Sequence, residues 1–497
     1  MSFLLIRKNS CFFYMKMWTM KLVKRKIFFR KGLVSKVLSV VCFLGFPAVS
    51  VAQTSLTYQQ VCADIDTMVS LIEQVHPDPY SRLSKKTFYE EVKKSKKQLA
   101  KGDVSRLRAY MELARLAALF EQGHLSVFSR SALVSAEAKS FPYFSLFHIE
   151  PGTHRLILEC DTVLEGVALK KGDELLKIGG LKAKKIVEES LRYAFGERDF
   201  YRCQRAEGGG TLAYWLYLNM PETHYPTVMK TRDGIKTLMV KALNRKEIRE
   251  MRAKQPREKA GKAQKKEPWS YEMHNDSVMI LHFDECVIEG FPEFLSEMFR
   301  RARAENVRHL IIDNRSNGGG NSDASDEICR YLTNQPFVGC HRIINRMSEP
   351  VRRFYRSYLK DYPQLSETIE MPDTIIDWVN SPDDYCQPYA DSLRFSGNAY
   401  LLNSHETFSS ASWLAVVFKH YKMGVTIGEE TGGMNISSGD VITEKLPHTQ
   451  FGLVLPHKIF YMVGTDENSP IHGILPDIPV PAEEAMDTAL KKICGRQ

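Results

Sequence analysis

Little in these 497 residues points to nucleotide, metal or membrane chemistry. Its glycine clusters are followed by no Lys-Ser or Lys-Thr and never take the G-x-G-x-x-G spacing, which removes the two common phosphate-cradling loops. The ten cysteines include no C-x-x-C pair, so no metal cage is expected. No internal repeat is visible. Beyond residue 52 no apolar run approaches the roughly 20 residues that cross a bilayer. Acidic residues are absent from the first 52 positions, which carry ten Lys or Arg; the remainder holds 58 basic against 59 acidic residues, so the formal +9 belongs to the leader. A second basic stretch, Arg245 to Pro268, holds ten basic and four acidic residues but no aromatic one. It reads as a solvated helix or linker, and no nucleic-acid partner is expected.

The leader has the form of an export signal. Basic residues up to Lys36 precede the apolar run Val37 to Val49, and the "SVA" that follows suits cleavage after Ala52. Thirteen apolar residues are short for a span. The mature protein is therefore expected to be exported, periplasmic or envelope-associated, with no stable transmembrane segment. Eight cysteines remain in it, and export permits disulfides that spacing cannot pair.

Apolar content of 43% and charged content of 26% describe a chain with a real core. Residues 53–135 read as helical. Val61, Ile65, Met68, Ile72 and Val75 form one stripe, and "HPDPY" at His76 ends it. Residues 141–245 mix strand-like runs with the turn "LKKGDELLKIGG". Residues 246–268 are the charged linker or exposed helix. Residues 269–490 alternate strands with helices, which favours a mostly parallel sheet and a mixed α/β class: Ser277 to Phe283, His309 to Arg315, Asn398 to Asn403 and Gly424 to Gly428 read as strands.

Three strand-to-turn sequences carry the chemistry. "IIDNRSNGGGN" (Ile311 to Asn321) ends a strand in Asp313 and Arg315 before three glycines, whose N–H groups can face an anion. "TFSSASW" (Thr407 to Trp413) puts three serines at a helix start, where a hydroxyl caps the helix or acts as a nucleophile. "GEETGG" (Gly428 to Gly433) follows a further strand, and "GILPDIPV" (Gly473 to Val480) closes the region. In this order, with "FEQGHLSVF" and "GDELLKIGG" upstream, they resemble the carboxyl-terminal processing (tail-specific) serine peptidase family over nearly all of the mature chain.

That resemblance implies a crotonase-like catalytic core, an N-terminal helical region and a divergent PDZ-like module at residues 141–245. It implies peptide or protein substrates and no cofactor or metal. It designates Ser410 as nucleophile, with neighbouring Ser409 as fallback, and the N–H of Ala411 with that of Gly318 or Gly319 as oxyanion donors. Many members take the serine proton with a lysine after the "G-E-x-T-x-G" turn, but Met434 stands there. The branch resembling the tricorn core protease uses a histidine upstream, which designates His124. Its companion serine is Gly123 here. Glu467, with Asp466 as rival, is the candidate acid to orient His124. His405 is a weaker candidate base, and Lys419, Lys422 and Lys445 are candidate displaced lysines. The alternative reading is an inactive peptide- or ligand-binding relative. Substrate and oligomeric state leave no mark in the sequence.

Overall fold

The computed structural model describes residues 55–495 apart from 100–101, 130–132, 209 and 255–266. The expected export segment lies outside the described residues, as does much of 246–268; its helix Arg245–Lys254 is described. No helix among the described residues is long and apolar enough to cross a membrane. All eight cysteines beyond the leader are free thiols.

The N-terminal region holds helices α1 (Tyr58–Val75), α2 (Lys85–Leu99) and α3 (Arg106–Ala118), followed by the short strand β1 (Ser126–Phe128). Thr57 and Gln60 form a capping box that starts α1, and the expected stripe from Val61 to Val75 is buried. Pro77 and Pro79 follow its end at His76. In α2 the stripe Phe88, Val92 and Leu99 is buried while the lysines stay in water.

The middle region is an antiparallel sheet. Its strands are β2 (Phe147–Glu150), β3 (Arg155–Leu158), β4 (Glu174–Ile178), β5 (His224–Thr231) and β6 (Gly234–Lys241), in the order β6-β5-β4-β3-β2. Helices α4 (Ala183–Leu191), α5 (Asp199–Gly208) and α6 (Thr211–Asn219) cover it. Leu156, Leu175, Ile178, Ile186, Leu216 and Tyr225 share one core.

The third region is built on two sheets. The first contains β7 (Trp269–Asn275), β8 (Val278–Phe283), β9 (His309–Asp313), β12 (Asn398–Asn403), β13 (Val425–Gly428) and β16 (Ile478–Pro479). From β8 onward neighbouring strands are parallel; only β7 is antiparallel. The four strands expected from the sequence are β8, β9, β12 and β13; β12 keeps its expected bounds and the others are trimmed by a residue or two. Helices α7 (Phe291–Ala304), α8 (Ser322–Leu332) and α9 (Ser410–His420) pack on one face, and α10 (Ala485–Ile493) on the other.

The second sheet was not anticipated. It orders β11 (Thr374–Val379), β10 (Cys340–Met347), β15 (Gly452–Met462) and β14 (Ile436–Lys445). Pro456, His457 and Lys458 inside β15 hide it, because a proline reads as a strand breaker. This sheet binds the N-terminal region to the core. Strand β1 pairs with β15, Val127 opposite Leu453. The buried Asp64 of α1 accepts the N–H groups of His448 (3.0 Å) and Thr449 (2.7 Å) at the β14–β15 turn. Residues a few positions before β1 are thereby carried to the core.

Candidate active site

The serine turn is assembled from two strand ends. Strand β12 delivers Ser404 to Phe408, and β9 delivers Asn314 to Gly320. The Phe408 N–H donates to the Asn317 carbonyl (3.1 Å), and Asn317 Nδ2 donates to the Phe283 carbonyl (2.8 Å). Thr407 Oγ1 donates to the Asn314 carbonyl (2.9 Å), while Asn314 Nδ2 reaches the Ala411 carbonyl (3.1 Å). At the base, Arg315 grips Asp313 with two bonds of 2.8 Å and reaches the Ala482 carbonyl. The pair thereby braces the strand end beneath the glycine turn.

Within the turn Ser409 has φ 53° and ψ −124°. A side-chain-bearing residue costs about 1–3 kcal/mol in such a conformation and keeps it only where neighbours over-determine it. The bonds above do so. Gly319 makes room: with φ +103°, it would put a Cβ 2.7 Å from Ser409 Cβ and 2.8 Å from the Phe408 carbonyl. A strained strand-to-helix turn of this kind raises a serine hydroxyl clear of the backbone.

That hydroxyl meets His124. His124 Nε2 lies 3.1 Å from Ser409 Oγ, across 285 positions of sequence. The imidazole stacks on Phe408 at 4.6 Å between centroids, and Phe408 stacks in turn on Tyr201 at 4.7 Å. Gly123 allows this approach, since a Cβ there would sit 2.7 Å from the Phe408 ring and 2.9 Å from Glu197 Oε2. The family serine missing before His124 therefore has no room in this chain. Behind the loop, the buried His76 donates from Nε2 to Gln122 Oε1 (2.7 Å), its Nδ1 being occupied by the Asp78 N–H (3.0 Å). Ser438 Oγ of β14 donates to the same Gln122 oxygen at 3.0 Å.

Burial pushes the His124 pKa down to about 4; nearby Arg205 adds to this and Asp440 opposes it. At neutral pH the imidazole is thus uncharged and able to accept a proton. Asp440, an exposed residue, is itself held below the usual carboxylate range, chiefly by Lys458, whose Nζ donates to it, and by His457.

Several expected residues stand elsewhere. Ser410, the expected nucleophile, turns its hydroxyl to the Gly320 carbonyl (2.8 Å), because the first helical residue points away from the cleft that the strained Ser409 enters. The Ala411 N–H is already spent on the Phe408 carbonyl (3.1 Å), and the Gly319 N–H on Asn317 Oδ1 (2.9 Å), so neither is an available oxyanion donor. Gly318 is exposed and borders open space. The Ser410 N–H, at the first helical position, has no intrahelical acceptor. Glu467 does not orient the histidine: it is exposed and pairs with Arg342 Nη1 at 3.2 Å, while His124 Nδ1 makes no hydrogen bond among the described residues. Asp466 caps its own loop through Asn468 and Ser469. His405 stacks on Phe200 at 3.9 Å, and its Nδ1 donates to the Glu430 carbonyl. Lys419 is held by Asp477 and the Leu475 carbonyl, and Met434 is buried.

A serine hydroxyl at a strained helix start thus faces a neutral imidazole on this α/β fold, an arrangement suited to a serine-type peptidase. Residues 278–480 match Peptidase family S41, and the chain carries a domain of that family. The structure is similar to that of mature CPAF, with 14% identity, 88% of this chain and 96% of that chain covered, and a TM-score of 0.59. It is also similar to mature CPAF complexed with lactacystin, with 13% identity, 88% and 97% covered, and a TM-score of 0.58. At these identities the likeness establishes the shared fold.

Proposed function

We propose that this serine peptidase is an exported endopeptidase that cleaves protein or peptide substrates through an acyl-enzyme on Ser409, with His124 as general base. The observation that carries the reading is the 3.1 Å approach of His124 Nε2 to the hydroxyl of the strained Ser409. In the first half-reaction Ser409 Oγ attacks the scissile carbonyl carbon and its proton passes to His124 Nε2. The oxyanion is received by the N–H groups of Ser410 and Gly318, donors of a kind worth about 10²–10³ each in rate. Collapse breaks the C–N bond, and His124 returns the proton to the leaving amine. Water then attacks the ester by the same route in reverse, freeing the acid and Ser409.

Without an acid bonded to Nδ1, the working unit is a Ser–His dyad, with Asp440 acting through space on the imidazolium. An inactive binding role is disfavoured by the same contact. The leader supports export to the periplasm or envelope, and the antiparallel middle sheet supports a PDZ-like peptide platform. The test is labelling with a fluorophosphonate probe. The wild type and Ser410→Ala should label, and Ser409→Ala should not. Labelling of Ser409→Ala at the wild-type rate, with none of Ser410→Ala, would overturn the assignment. Lactacystin, with which mature CPAF has been complexed, is a second probe for the same pair.

A further inference from the structure

The middle region brings together three side chains that no sequence spacing links. Helix α5 carries Asp199 and Cys203 one turn apart, and the β2–β3 hairpin carries His154. The ligating atoms of His154, Asp199 and Cys203 all lie within 4.8 Å of one another. We propose that they form a binding site for Zn²⁺ or a similar borderline divalent ion, with water completing a four-coordinate shell.

The donor set suits that ion. Thiolate, imidazole and carboxylate are the three protein ligand types of tetrahedral zinc, and hard ions such as Mg²⁺ and Ca²⁺ do not choose sulfur. The donors are also held ready. His154 Nε2 is 2.8 Å from Asp199 Oδ1, and the other carboxylate oxygen accepts the Gly152 N–H at 2.7 Å. Zinc bonds of about 2.0–2.3 Å at tetrahedral angles set donors about 3.3–3.6 Å apart. The His–Asp pair therefore opens by about half an ångström, and the sulfur closes by up to about an ångström. Cys203 is only 1% exposed, and its sulfur lies within 4.8 Å of the other two ligating atoms. His154 sits at φ 58°, a left-handed turn position where glycine or asparagine is easier.

The site bears on the proposed catalytic turn through α5. The next residues of this helix, Phe200 and Tyr201, stack on His405 and Phe408, and Arg205 lies 4.5 Å over the Tyr201 ring. An ion joining α5 to the hairpin stiffens the wall against which Phe408 and His124 stack.

The experiment is a Co²⁺ titration of the full chain in a background where Cys11, Cys42, Cys160 and Cys494 are serine. The expected result is a near-ultraviolet thiolate-to-cobalt band with four-coordinate visible bands, saturating at about one equivalent and bleached by Zn²⁺. Zn²⁺ should also raise the thermal midpoint by a few degrees. Cys203→Ser should abolish the sulfur band, and the exposed-turn variant His154→Ala should weaken Co²⁺ binding at least tenfold. A sulfur band that survives Cys203→Ser, an affinity unmoved by His154→Ala, or no saturable binding would each overturn the proposal, in favour of a plain His–Asp ion pair beside a buried thiol.

Discussion

The two halves of the Ser409–His124 pair are held in different ways. Ser409 is locked from all sides by backbone and asparagine bonds: Asn317 to Phe408, Thr407 to Asn314, Asn314 to Ala411. Among the described residues the His124 ring has one hydrogen bond, to Ser409 itself, and otherwise rests on Phe408 with Nδ1 unpartnered. The serine's geometry belongs to two adjacent strand ends of one core sheet and survives wherever that sheet folds. The histidine's geometry exists only when β1 docks on β15 and Asp64 holds the β14–β15 turn. The serine is therefore the rigid partner, and the histidine depends on docking between regions.

The comparison breaks most completely at the pair itself. Ser409→Ala and His124→Ala should each lower kcat/KM by about 10⁴–10⁶, and the double variant should cost little more, because groups that act as a unit are not additive. Ser410→Ala should stay within tenfold of wild type. Peptide turnover by the four proteins checks this.

Gly319→Ala tests the locked side. Its Cβ would press on Ser409 Cβ and the Phe408 carbonyl, so kcat should fall about 10²-fold with a smaller change in KM, as for a misplaced reacting atom. Asp64→Ala tests the docked side at a distance from the chemistry. Two buried N–H groups lose a charged acceptor, and the expected destabilisation is about 2–3 kcal/mol by denaturant unfolding. Activity should drop with it, since β1 and His124 loosen together. Gln122→Leu removes the oxygen shared by His76 and Ser438 and should cost about tenfold in kcat, less than either catalytic variant.

The smallest expected effect is in the pH profile. A base pushed down to about 4 loses function only when protonated, so the acid limb of kcat/KM should fall near pH 4 rather than near 6.5. Arg205 contributes to that depression, so Arg205→Gln should move the limb upward. An acid limb unmoved by this change would mean that His124 is not the titrating base.

Some of this was legible in the chain. The α1 stripe, the four core strands and the three glycine- or serine-rich turns follow from periodicity and breakers, which act over a few residues. The absence of a lysine at Met434 turned attention upstream to His124, whose Nε2 lies 3.1 Å from Ser409 Oγ. The choice between Ser409 and Ser410 was not legible, because the left-handed backbone at Ser409 is imposed by Gly319 and Asn317, which lie about 90 positions away. The same holds for Ala411: whether its N–H is available depends on the helix start moving by one residue. Glu467 looked suitable by position, and Arg342 of β10 claims it instead.

The sequence by itself determined the class of chemistry. A serine at a helix start, a glycine turn beside it and a histidine 285 positions upstream are properties of residue type and order. Tertiary structure alone decided which serine faces the histidine, which N–H groups stay available, and that His154 meets Asp199 and Cys203. These are matters of a few ångströms, set by strand pairing between regions and by where a Cβ does or does not fit.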